Sequence, residues 1–101
     1  MAQLVVLYKT PTDAAAFDAY YTKTHIGLAK KIPGLRKYQI SKGSIAGPAS
    51  TGIHLVATLT FDSLADIQSG LGSAEGQAAA GDVSIFATGG ADILMFDTRE
   101  V

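Results

Sequence analysis

The chain alternates between two hydrophobic periods. Leu4-Val5-Val6-Leu7-Tyr8 is an unbroken apolar run, short and rich in β-branched residues, which predicts a strand buried on both faces. Thr10-Pro11-Thr12-Asp13 ends it, and Thr12 or Asp13 is placed to cap a following helix. Phe17, Tyr21, Thr24, Leu28 and Ile32 then recur at spacings of three and four, the apolar stripe of an amphipathic helix. Gly27 inside it predicts a bend or restart just after His25, and Pro33-Gly34 predicts its end. Leu35 to Lys42 alternates, with Tyr38 and Ile40 on one face and Lys37, Gln39 and Ser41 on the other, which predicts an edge strand.

Gly43 to Gly52 reads as a flexible hairpin loop. Ile53 to Phe61 predicts a third strand, with Ile53, Leu55, Ala57, Leu59 and Phe61 on one side and His54, Val56, Thr58 and Thr60 on the other. Ser63-Leu64-Ala65-Asp66 has the form of a capping box, and Ser73 is placed to cap a second helical piece with Ala79, Val83 and Phe86 inward. Gly70, Gly72 and Gly81 interrupt this pattern. Ala91 to Thr98 predicts the last strand. The order β-α-β-β-α-β is that of an α+β, ferredoxin-like domain over residues 1–101, with both helices on one face of a four-stranded antiparallel sheet. The first and fourth strands are apolar on both faces and the helices cover only one, so a second copy of the chain is the expected cover for the other, giving a homodimer.

Composition narrows the function. Of 101 residues, 8 are Lys or Arg and 9 are Asp or Glu, so no net positive charge is available for nucleic acid. The third strand also lacks the glycine–aromatic core of an RNA-recognition sheet. There is no cysteine, which excludes disulfides and thiolate metal sites. The apolar run after Met1 is too short for a leader or a membrane span, so no membrane partner and a cytoplasmic location are the expectations. No nucleophile elbow, phosphate loop, dinucleotide fingerprint or metal motif occurs, so no cofactor or metal is expected. Lys30, Lys31, Arg36, Lys37 and Lys42 form a local basic cluster. It reads as a solvated surface or as an attractor of anions at a pocket mouth.

Only His25 and His54 are histidines. His25 follows Tyr21 by four residues, at the edge of the helical stripe, with Tyr20 and Tyr38 placed to project nearby. An imidazole among phenols is an acid–base site, or a core histidine bonded to a free carbonyl. Spacing alone leaves both readings open.

The stretch from Ala16-Phe17 through Tyr20-Tyr21 and Thr24-His25 to Ile32-Pro33-Gly34-Leu35 resembles the EthD family, with Gly27 standing where that family usually has Pro. Ser73 to Ala78 and Phe86 to Gly90 are similar to it as well. The resemblance implies the dimeric α+β barrel superfamily, whose small-molecule pockets lie beside the sheet and are lined by His and Tyr. It implies His25 and Tyr38 as catalytic residues and Tyr21 and His54 as substrate contacts, and Phe17 and Leu28 on the apolar stripe complete that set. The expectation is a catabolic enzyme acting on an aromatic, lactone or similar oxygenated compound, as isomerase, cyclase or cofactor-free oxidoreductase. The alternative is a non-catalytic ligand-binding or accessory protein.

Overall fold

In the computed structural model, which describes residues 1–48 and 50–101, the chain runs β1 (Ala2–Lys9), α1 (Ala14–Tyr20), a π-helical turn (Tyr21–His25), α2 (Ile26–Ala29), β2 (Lys37–Ile40), β3 (Ile53–Phe61), α3 (Leu64–Gly72), α4 (Ala74–Phe86) and β4 (Ala91–Asp97). The strands form one antiparallel sheet in the order β2-β3-β1-β4, the ferredoxin-like arrangement. β2 is an edge strand, as its one polar face predicts, and is shorter than the alternation suggests. Within the predicted loop from Gly43 to Gly52, Ala49 lies outside the described residues.

Helix starts are set by side-chain oxygens. Asp13 accepts from the Ala16 amide at 3.0 Å, Ser63 from Asp66 at 3.1 Å and Ser73 from Gly76 at 3.0 Å. The glycines that broke the pattern in the second helical region serve close packing. A Cβ on Gly76 would overlap the Gly70 carbonyl, and one on Gly70 would come within 2.7 Å of the Pro33 carbonyl. Helix α3 therefore continues through Gly70 to Gly72, and α4 turns away directly after it.

The first helical region differs from the expectation in an instructive way. Its irregularity is not at Gly27, which sits inside α2 with open space around it. It is the π turn before it, where the Ile26 amide donates to the Tyr21 carbonyl. A four-residue step in an α-helix overshoots a full turn by about 40°. Over the three steps from Phe17 to Ala29 the drift would reach about 120°, taking the later residues off the buried face. The wider π turn absorbs that drift, so Phe17, Tyr21, His25 and Ala29 are all buried while Thr24 and Leu28 are only half-buried. His25 thus lies in the middle of the buried stripe rather than at its edge.

The helices cover one face of the sheet. Ala2, Leu4, Val6 and Tyr8 of β1 point into the core with Ala57, Leu59 and Phe61 of β3. On the opposite face Leu94 and Phe96 of β4 flank Val5 and Gln3, and both are exposed. Ile93 and Met95 point to the helix side but are also exposed, because the helices do not reach fully across this edge strand. Among the described residues no helix is long and apolar enough to cross a membrane.

A buried histidine–aspartate pair beside an apolar cavity

Between the sheet and the helices lies a cavity of about 170 Å³. Leu4, Val6, Ala57, Leu59, Ile93 and Met95 form its sheet wall, and Ala29, Leu71, Ala79 and Val83 its helix wall. The polar side chains that line it are His25, Tyr8, Tyr21 and Tyr38. The exposed Ala80, Ile93 and Met95 mark the side on which it meets solvent, at the β4 edge.

His25, 4% exposed, stands over an aromatic cluster. Tyr8 packs against Phe17, Tyr21 and Phe86 with ring centroids 5.5, 5.6 and 5.5 Å apart, and His25 lies 4.7 Å from Phe86. Each such pair contributes about 0.5–1.5 kcal/mol beyond its buried area, enough together to hold the imidazole in place. Its Nδ1–H donates to Asp82 Oδ2 at 3.0 Å. Tyr20 donates to the other carboxylate oxygen at 2.6 Å. Asp82 is itself 6% exposed, so both oxygens are used in a place where water does not reach them.

With Nδ1 committed to the carboxylate, Nε2 keeps its lone pair. It faces the Tyr8 hydroxyl at 3.4 Å, a long contact that a ligand can take over. Burial pushes the Tyr8, Tyr21 and Tyr38 phenols above their ordinary value, so all three stay protonated and able to donate. Tyr21 and Tyr38 share a hydrogen bond of 2.5 Å across the cavity wall. One donates to the other, which leaves one O–H of the pair for a ligand. The site therefore offers one acceptor nitrogen and phenolic donors around an apolar space.

His25, Tyr38 and Tyr21 meet at this cavity, but the other candidates do not. His54 does not share a face with Val56, Thr58 and Thr60. The register slips between Tyr8, opposite Leu55, and Lys9, opposite Ile53, and His54 is the extra residue. The bulge turns it toward α1, where its ring stands edge-on to Phe17 at 4.9 Å and Nε2 lies 2.8 Å from Asp18 Oδ1. There it lines a separate outer cleft with Ser41 and Ile40, of which Tyr21 is the one wall shared with the inner cavity. Phe17 lies in the core behind Tyr21, and Leu28 is half-buried on α2; neither lines the cavity. The basic cluster is a solvated surface, with Arg36 held by Asp62 at 2.8 Å.

Two residues were missed. Tyr8 reads only as core in an apolar strand. Asp82 is the larger omission: it follows Ala79 by three residues and precedes Phe86 by four, on the inward side of α4, but the Ala- and Gly-rich helix leaves that stripe faint. Among the described residues no three His, Asp or Glu side chains lie close enough to share a metal ion.

This fold and site define a ferredoxin-like α+β protein with a small interior pocket between helices and sheet. The chain belongs to the EthD family: residues 9–90 match the EthD domain. It is 34% identical, over all of its length and 98% of the relative's, to an uncharacterized 11.0 kDa protein of Rhodococcus erythropolis from the thcB-thcC intergenic region. An ethyl tert-butyl ether degradation (EthD) family protein of Bacillus halodurans superposes with a TM-score of 0.88 at 28% identity, covering 98% of this chain and 99% of that one. The hydroxynitrile lyase of Passiflora edulis shares the fold, with a TM-score of 0.73 at 20% identity over 99% of this chain and 94% of that one.

Burial holds His25 below its ordinary value of 6.5, with Asp82 pulling in the opposite direction. An unfolded chain takes up this proton near pH 6.5, while the folded site resists it until lower pH. Between those two values the unfolded state binds more protons, so His25 lowers stability as the medium is acidified. Above about pH 7 both states are neutral at this position and the effect vanishes. The unfolding free energy of wild type minus that of His25→Gln, from urea titrations, is expected to be flat above about pH 7 and to shrink below about 6.5. A difference that grows in acid would mean that the pair favours the imidazolium.

Proposed function

We propose that the protein is a small-molecule enzyme of catabolism that moves a proton on a bound oxygenated compound. The observation that carries this reading is the Asp82–His25 pair, which turns an unprotonated Nε2 toward an apolar cavity. His25 is the general base and then the general acid. Nε2 takes a proton from a C–H beside a carbonyl, or from a hydroxyl, of the ligand. The electrons left behind pass to the ligand oxygen, where the free O–H of the Tyr21–Tyr38 pair, assigned to Tyr38, donates a hydrogen bond. The imidazolium formed is stabilised by Asp82 across 3.0 Å and returns its proton to another atom of the ligand, so an isomerisation or cyclisation balances without any further reactant. The fold is one on which a lyase of Passiflora edulis is built, which accords with this reading without fixing the reaction.

We propose further that the working form contains two copies of the chain. Leu94 and Phe96 on the bare sheet face, with Ile93 and Met95 at the same edge, are an unbroken exposed apolar strand. Covering each such side chain contributes about 1.5–3 kcal/mol.

Each part has its own test. Deuterium uptake from solvent into small ketones, lactones and phenols, followed by NMR, is expected with wild type and should fall about 10²–10⁴-fold in His25→Ala. Uptake equal in both proteins contradicts the assignment of His25, and ligands that bind but never exchange contradict catalysis. Sedimentation equilibrium should give twice the 10.4 kDa of one chain, and Leu94→Lys with Phe96→Asp should return it to one. A wild-type mass of one chain contradicts the dimer.

A further inference from the structure

The charge around the cavity narrows what it accepts. We infer that the pocket takes a compact neutral molecule carrying one hydroxyl or carbonyl group, and rejects carboxylates and other anions of the same shape. The inference rests on the reading of this cavity as the ligand site.

Size sets the first limit. An apolar cavity of about 150 Å³ holds a benzene molecule, so one of about 170 Å³ has room for a six-membered ring and a small substituent. Charge sets the second. Among the described residues no Lys or Arg lines the cavity, although the chain contains 8. Lys30, Lys31, Lys37 and Lys42 are exposed, and Arg36 is already bound to Asp62 through two hydrogen bonds of 3.2 and 2.8 Å. Among the described residues the one charge buried beside the site is negative: Asp82, directly behind His25. An anion entering here gives up its hydration, gains no cation and approaches a carboxylate.

A neutral oxygen group meets the opposite situation. A hydroxyl gives its hydrogen to His25 Nε2 and accepts from the free phenol of the Tyr21–Tyr38 pair. A carbonyl accepts from that phenol and from Tyr8. The remaining wall is aliphatic, and Leu4, Val6, Ala57, Leu59 and Ala79 offer nothing that would hold a second polar group. A ligand with a polar group at each end would therefore leave one of them unpaired.

Calorimetric titration of the wild-type protein at neutral pH tests this with probes matched in shape: benzamide against benzoate, and cyclohexanone and benzyl alcohol as further neutral compounds. The neutral members are expected to bind at least about 100-fold more tightly than benzoate. Ala80→Phe, a change at an exposed helix position on the cavity mouth, should weaken them about tenfold or more without unfolding the chain. Leu71→Trp, at a half-buried position of the helix wall away from the β4 face, is the second such variant. Benzoate binding as well as benzamide overturns the inference. So does binding of neutral probes that neither variant weakens, or failure of every probe to bind at millimolar concentration. These outcomes are separate from proton transfer: neutral selectivity without deuterium uptake leaves this inference standing and removes catalysis, and carboxylate binding with His25-dependent uptake does the reverse.

Discussion

A carboxylate can stay inside a protein only if something donates to both of its oxygens, and Asp82 imposes that demand on the whole helical layer. Its position is supplied by α4, far along the chain from its two donors, Tyr20 and His25. Removing either would leave a buried charge under-satisfied, at a cost of several kcal/mol. The first helical region must therefore present residue 20 and residue 25 to the same carboxylate. A regular α-helix turns through about 500° between them and faces them well apart. The π turn at Tyr21–His25 widens the helix at that point and keeps Tyr21, His25 and Ala29 directed inward. The pairing and the irregular turn are two sides of one constraint.

The aromatic cluster follows from the same placement. Tyr8 rises from near the C-terminal end of β1 to meet Nε2, and Phe17, Tyr21 and Phe86 close around it. These rings do two things at once. They hold the imidazole in one orientation, and they replace water around it with apolar surface, which is what keeps it neutral. The cavity next to it keeps the same character, apolar with a few directed hydrogen-bonding groups. The proposed base at Nε2, the donor phenol and the proposed neutral ligand all draw on that one arrangement.

Much of the fold was legible from the chain because hydrophobic period changes cleanly at Pro11 and Pro33, and capping residues stand at Asp13, Ser63 and Ser73. His25 and Tyr38 were legible as candidates through the family-like sequence around them, and the structure brings both to one cavity. Three features were not legible, each for a physical reason. The π turn leaves no mark in a pattern read at 3.6 residues per turn, and it shifts the inward face from Thr24 and Leu28 to His25 and Ala29. One extra residue in a strand reverses the facing of everything beyond it, so His54 belongs with Asp18 and not with Val56. Helix α4 is so rich in Ala and Gly that its inward stripe barely stands out, and Asp82 on that stripe passes for a surface residue.

The chemistry of the site depends on Asp82 holding the proton of His25 on Nδ1 and leaving Nε2 free toward the cavity. Long-range ¹H–¹⁵N correlation spectra of labelled protein read this directly, because protonated and unprotonated ring nitrogens resonate far apart. At neutral pH His25 is expected as a single neutral tautomer with Nδ1 protonated and Nε2 bare. A spectrum showing the proton on Nε2, or both nitrogens protonated, would contradict the account.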